Sequence, residues 1–90
     1  MNDQKIALIT GAARGIGNAC ALQLAKEGFG IAIMDVIDEE TALNNIGVIR
    51  ETGMPFMYIK GDITQDKSRK EAVDKIMSSF GRIDVLVNNA

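Results

Sequence analysis

Four short apolar runs, Ile6-Ala7-Leu8-Ile9, Ile31-Ala32-Ile33-Met34, Phe56-Met57-Tyr58-Ile59 and Val85-Leu86-Val87, leave this chain very few folds to choose from. Each run is continuous rather than alternating, which is the pattern of a strand covered on both faces. The first three begin 25 residues apart, room for one helix and two turns. The segments between them carry helical spacing: Ala21, Leu24 and Ala25; then Ala42, Leu43, Ile46 and Ile49; then Ala72, Val73, Ile76, Met77 and Phe80. Asp38 or Thr41 is placed to cap the second helix and Thr64 or Asp66 the third, while Gly28, Gly53 and Gly81 stand where a left-handed C-terminal residue is wanted. The intervening helices share no sequence pattern, so the rhythm is not a solenoid repeat. It predicts a parallel sheet flanked by helices, the first half of a doubly wound α/β fold of about four strands and three helices. In that arrangement the last run lies beside the first strand and leaves an apolar edge of its own uncovered.

Composition narrows function by exclusion. Ten Lys+Arg against twelve Asp+Glu provide no basic field for a phosphate backbone or an anionic lipid surface. One cysteine and no histidine exclude a disulfide framework, a Cys/His zinc cluster and a histidine base within these residues. No stretch approaches the roughly 20 apolar residues of a membrane helix, and the first residues lack the pattern of a signal peptide. A cytoplasmic location, with no nucleic-acid or membrane partner, is expected.

The chemistry is concentrated after the first strand, in Thr10-Gly11-Ala12-Ala13-Arg14-Gly15-Ile16-Gly17, which runs straight into a helix. Gly11 suits a tight turn out of the strand, Gly15 the approach of backbone to a pyrophosphate, and Gly17 close packing of helix on sheet, with the helix N-terminus facing the phosphates. Asp35 follows Gly17 by eighteen residues at the end of the second strand. An acidic side chain about 20 residues on is where a ribose 2′-hydroxyl is bound in a Rossmann-type fold. Asp35 favours NAD, because a carboxylate there repels the additional phosphate of NADP. Arg14 points the other way, as a partner for a 2′-phosphate, unless it is only a solvated surface charge. Asp35 also has a purely structural reading, as a turn or capping residue.

The pattern Thr10-Gly11-x-x-x-Gly15-Ile16-Gly17 resembles the cofactor loop of short-chain dehydrogenases/reductases, and Val87-Asn88-Asn89-Ala90 resembles the start of their Asn-Asn-Ala-Gly motif. Gly61-Asp62-Ile63-Thr64 and Phe80-Gly81-Arg82-Ile83-Asp84-Val85-Leu86 are similar to two further family segments, so the resemblance spans the whole chain. It implies that residues 1–90 are the N-terminal part of a single NAD(P)-binding domain. Gly11, Ala12, Ala13, Arg14 and Ile16 would then line the pyrophosphate and its ribose, with Gly15 and Gly17 in the same cofactor-binding loop, and Asp35 would hold the adenosine ribose. Asp62 and Ile63 would bracket the adenine, Asn88 would contact a ribose, and Asn89 and Ala90 would shape the floor beneath the nicotinamide. Read from the residues alone, Asp62 serves equally as an N-cap of the third helix, and Asn88 as an ordinary strand-end residue.

Family catalysis uses an Asn, a Ser and a Tyr-x-x-x-Lys beyond the Asn-Asn-Ala-Gly motif. The single tyrosine, Tyr58, sits within the third apolar run with no lysine four residues on, so it reads as a strand residue and not as the catalytic acid. The resemblance therefore implies an NAD(P)-dependent oxidoreductase acting on a small alcohol or ketone, similar to 3-oxoacyl-carrier-protein reductases, assembled as a dimer or tetramer. These ninety residues represent its cofactor-binding half and are expected to be inactive alone. Other readings are a non-enzymatic dinucleotide-binding module and a methyltransferase-like fold; a kinase or ATPase is disfavoured by the lack of a Gly-x-x-x-x-Gly-Lys-Ser/Thr loop. Cys20 reads as packing in the first helix, and the mixed charges from Lys67 to Lys75 as the solvated face of the third.

Overall fold

All four apolar runs are strands and all three intervening segments are helices in the computed structural model, which describes residues 3–89. The chain order is β1 (Ile6–Thr10), α1 (Gly15–Lys26), β2 (Gly30–Asp35), α2 (Glu39–Arg50), β3 (Phe56–Lys60), α3 (Asp66–Phe80) and β4 (Val85–Asn88). The strands form one parallel sheet in the order β3-β2-β1-β4. The chain thus steps from β1 out to β3 and then returns through α3 to the other side of β1, so strand order reverses between β1 and β4.

Successive side chains of a strand point to opposite faces, and β1 and β2 divide their residues accordingly. Ala7, Ile9, Ile31 and Ile33 pack with Ala21 and Ala25 of α1 and Ala42, Ile46 and Ile49 of α2. Ile6, Leu8, Ala32 and Met34 pack on the other face with Ala72 and Ile76 of α3 and Ile59 of β3. A three-layer sandwich results, with β1 buried at all five positions and β2 at its first five. Fully burying one isoleucine contributes about 1.5–3 kcal/mol, so these two strands carry most of the hydrophobic stabilisation.

Leu43, Val73 and Met77, expected on the buried stripes, are instead 48%, 42% and 47% exposed. Each helix meets the sheet along a stripe only one or two side chains wide, Ala42-Ile46-Ile49 in α2 and Ala72-Ile76 in α3, and flanking apolar residues fall outside it. Cys20 is half-buried rather than buried. Asp38 occupies the N-cap of α2 as expected, but its side chain does not cap; it pairs with Lys60. Gln65, not Thr64 or Asp66, is the N-cap of α3. Gly28, Gly53 and Gly81 all adopt positive φ after their helices.

Candidate cofactor site

The reversal between β1 and β4 opens a crevice beyond their carboxyl ends, the place where open α/β sheets bind ligands. The loop leaving β1 is built to be approached there. Gly15 has φ +65° and open space where a Cβ would stand, a conformation that costs an L side chain energy. Gly17 is different: a Cβ there would lie 2.8 Å from the Gly11 carbonyl oxygen, 3.1 Å from Ala12 Cα and 2.6 Å from Asn89 Nδ2. The close approach that Gly17 permits is therefore to the loop and the end of β4.

The first-turn N–H groups of an α-helix have no intrahelical acceptor. In α1 no side chain caps them and no acidic residue stands in the first turn, whereas α2 has Glu39 and Glu40 there and α3 has Asp66. The first turn of α1 is thus uncapped and carries no acidic residue of its own, and it stands beside the exposed Arg14, a set of donors suited to an anion. Ile16, 83% exposed, projects from the same turn.

Asp35 closes one side of the loop. Its Oδ2 accepts from Ala13 N at 3.0 Å and its Oδ1 from Val36 N at 2.7 Å, so the turn reading of this residue is realised. Its Oδ1 also accepts from Ile37 N at 3.4 Å, so of the roughly four acceptor positions of a carboxylate one remains for a hydroxyl donor. Gly11, Met34, Asp35, Val36, Gly61 and Ile63 line a cleft of about 80 Å³ that joins the ends of β1, β2 and β3. Asp62 adjoins it, and its Oδ1 accepts from Thr64 N at 2.9 Å and Thr64 Oγ1 at 2.7 Å; these bonds hold its carboxyl below the usual carboxylate range. Asp62 is accordingly a turn residue, not the N-cap of α3.

Across the reversal, Asn88 and Asn89 are tied to β1 through Thr10, which is buried. Thr10 Oγ1 donates to Asn88 Oδ1 at 3.3 Å and accepts from Asn89 N at 3.1 Å. Asn89 Nδ2 in turn donates to the Gly11 carbonyl at 3.1 Å. Two further contacts were not anticipated from sequence: Asn18 Nδ2 donates to the Ala12 carbonyl at 3.1 Å and Asn45 Nδ2 to the Ala13 carbonyl at 3.0 Å. Ala12 and Ala13 are almost wholly buried, and leaving such a carbonyl unpaired costs about 1–3 kcal/mol. Ala90 lies outside the described residues.

Tyr58 is held within β3, its hydroxyl donating to the Ile37 carbonyl at 2.5 Å. Burial, then the carboxylates of Asp35, Glu39 and Asp38, push it up to about 12, the opposite of what a catalytic acid near neutrality needs. Among the described residues no cluster of candidate ligands could hold a metal ion, and no helix is long and apolar enough to cross a membrane.

The parallel order β3-β2-β1-β4, the glycine-built turn into α1 and the acidic end of β2 define the first half of a Rossmann-type doubly wound fold. The chain belongs to the short-chain dehydrogenase family, whose model matches residues 5–90. It is 40% identical over 86 residues to a 3-oxoacyl-acyl-carrier-protein reductase of Staphylococcus epidermidis, a match covering 96% of this chain and 35% of that protein. An uncharacterised oxidoreductase of Thermotoga maritima is 38% identical over 90 residues, all of this chain and 35% of the relative. Among solved structures, NAD+-bound xylitol dehydrogenase superposes with a TM-score of 0.88 at 39% identity, over 96% of this chain and 33% of that one. Carveol dehydrogenase of Mycobacterium avium in complex with NAD gives 0.86 at 30% identity, over 96% and 35%. The chain thus spans about a third of the length of the relatives it matches.

Proposed function

We propose that residues 1–90 form the N-terminal part of a single NAD(P)-binding domain of an oxidoreductase that transfers hydride between a nicotinamide cofactor and an alcohol or carbonyl substrate. The observation that carries this reading is the uncapped N-terminus of α1, presented by a glycine turn and flanked by Asp35, at the point where strand order reverses. In this reading Gly11, Ala12, Ala13, Arg14 and Ile16 line the pyrophosphate and its ribose, Gly15 lets the backbone approach it, Gly17 packs the loop against the end of β4, and Asp35 accepts from a hydroxyl of the adenosine ribose. Asp62 and Ile63 bracket the adenine, and Asn88, Asn89 and Ala90 serve the nicotinamide side. When bound, the nicotinamide supplies the hydride chemistry. The residues of this chain bind and orient it. We infer that these ninety residues are inactive by themselves.

NAD is preferred over NADP, because a 2′-phosphate would sit against the Asp35 carboxylate. Arg14 is the counterweight, a guanidinium suited to pair with a 2′-phosphate. Likeness to the staphylococcal reductase supports a 3-oxoacyl-thioester-like ketone as the first substrate to try. The functional protein is a cytoplasmic homo-oligomer, a dimer or tetramer. Calorimetric titration of the intact natural polypeptide tests the cofactor assignment: NAD should bind, NADP at least tenfold more weakly, and Asp35→Ala should narrow that difference. Tighter binding of NADP, or of S-adenosylmethionine in place of either, would refute it.

A further inference from the structure

Three consecutive carbonyls of the loop, those of Gly11, Ala12 and Ala13, each accept from the side-chain amide of a different asparagine: Asn89 after β4, Asn18 in α1 and Asn45 in α2. This stretch belongs to neither strand nor helix, so its carbonyls have no ladder partners and their direction is set by these side chains. The peptide between Ala12 and Ala13 is gripped at both ends, Asn18 on its oxygen and Asp35 on its N–H. Among the described residues the next peptide is held by Asn45 alone, an exposed residue 32 positions along the chain whose amide reaches over to the buried Ala13. A trans peptide directs its N–H opposite to its C=O, so fixing the Ala13 carbonyl toward α2 fixes the Arg14 N–H away from it, at the mouth of α1.

We propose that Asn45 is a positioning residue for cofactor binding, which sets the peptide between Ala13 and Arg14 so that its N–H is ready for a pyrophosphate oxygen. The inference rests on the dinucleotide reading above and adds to it a residue from α2 that no phosphate would touch. Preorganised donors lose no ordering entropy on binding, so releasing this peptide weakens pyrophosphate binding while leaving adenine and ribose contacts intact.

The test uses the intact natural polypeptide and its Asn45→Ala and Asn45→Leu variants, neither of which adds a charge near the phosphates. Dissociation constants for NAD, ADP and adenosine are measured by calorimetry. Removal of one positioning hydrogen bond should weaken NAD and ADP by about tenfold and leave adenosine, which has no phosphate, within about twofold. Equal weakening of all three ligands would mean general damage to the fold and would overturn the assignment, as would unchanged affinity for NAD and ADP in both variants. Wild-type protein that binds neither NAD nor ADP would overturn the dinucleotide reading itself, and this inference with it.

Discussion

β1 and β4 lie side by side in register, Ala7 opposite Val85 through Thr10 opposite Asn88, and both are runs of aliphatic residues, yet they live in different environments. Every residue of β1 is buried, whereas β4 alternates between half-buried and exposed, with Leu86 62% exposed. Composition does not separate them; position in the sheet does. β1 has a strand on each side and helices on both faces, while β4 has one neighbour among the described residues. The two ends of β4 are nevertheless held firmly, by polar contacts. At its start the Asp84 carboxylate accepts from Ile6 N at 2.8 Å and from the Arg82 guanidinium at 2.8 and 2.6 Å, and at its finish Asn88 and Asn89 are bound to Thr10. Apolar burial stabilises the centre of the molecule, and hydrogen bonds fix the register of its edge, where the reversal crevice begins.

The sharpest way to break this contrast is to truncate both strands. Ile9→Ala in β1, where the side chain is fully buried, should destabilise by about 2–5 kcal/mol. Leu86→Ala in β4 should cost under about 1 kcal/mol. Urea denaturation of the two variants measures the difference, and equal losses would mean that β4 is as thoroughly covered as β1.

Glycine substitutions sharpen the same contrast within helices. Gly17→Ala forces a methyl group against the Gly11 carbonyl and Asn89 and should destabilise by about 1–3 kcal/mol while weakening dinucleotide binding. Gly47→Ala in α2 meets nothing within 4 Å and should stabilise by roughly 0.5–1 kcal/mol, raising the melting temperature.

Acid titration addresses the edge alone. The Arg82 guanidinium, then the Ile6 N–H, hold the Asp84 carboxyl below its ordinary value. A carboxylate depressed in the folded state contributes stability that is present above its unfolded pKa of about 3.9 and is lost as pH falls through the lower folded value. Asp84→Asn should therefore flatten the decline in stability below about pH 4, while Ile9→Ala leaves that decline unchanged. At the opposite extreme, Tyr58 is raised to about 12, so its contribution is complete below its unfolded pKa of about 10 and lost as pH rises toward 12. Tyr58→Phe should abolish that small alkaline dependence, as monitored by far-ultraviolet circular dichroism.

The strands, the helices and the sheet order were legible in the sequence because continuous apolar runs and glycine punctuation report local backbone preference directly. The same signals located the turn into α1 and Asp35. They could not distinguish Ile46, buried in α2, from Leu43, exposed on it, because stripe width depends on how the helix sits on the sheet. Nor could they show that Asn18 and Asn45 serve the loop, since an asparagine on a helix reads as a surface residue until the tertiary fold brings a carbonyl to it. Asp62 was ambiguous for a related reason: an Asx turn and an N-cap place the same residue type within a few positions of a helix start.

The central claim is that the reversal crevice binds a dinucleotide through the loop after β1. Amide chemical-shift mapping of the isotopically labelled natural polypeptide during titration with NAD tests it most directly. Shifts concentrated at Gly11 to Gly17, Asp35, Asp62, Ile63, Asn88 and Asn89, with the outer face of α3 around Val73 and Met77 unmoved, are the predicted result. Saturable shifts centred elsewhere, or none at millimolar NAD, would contradict it.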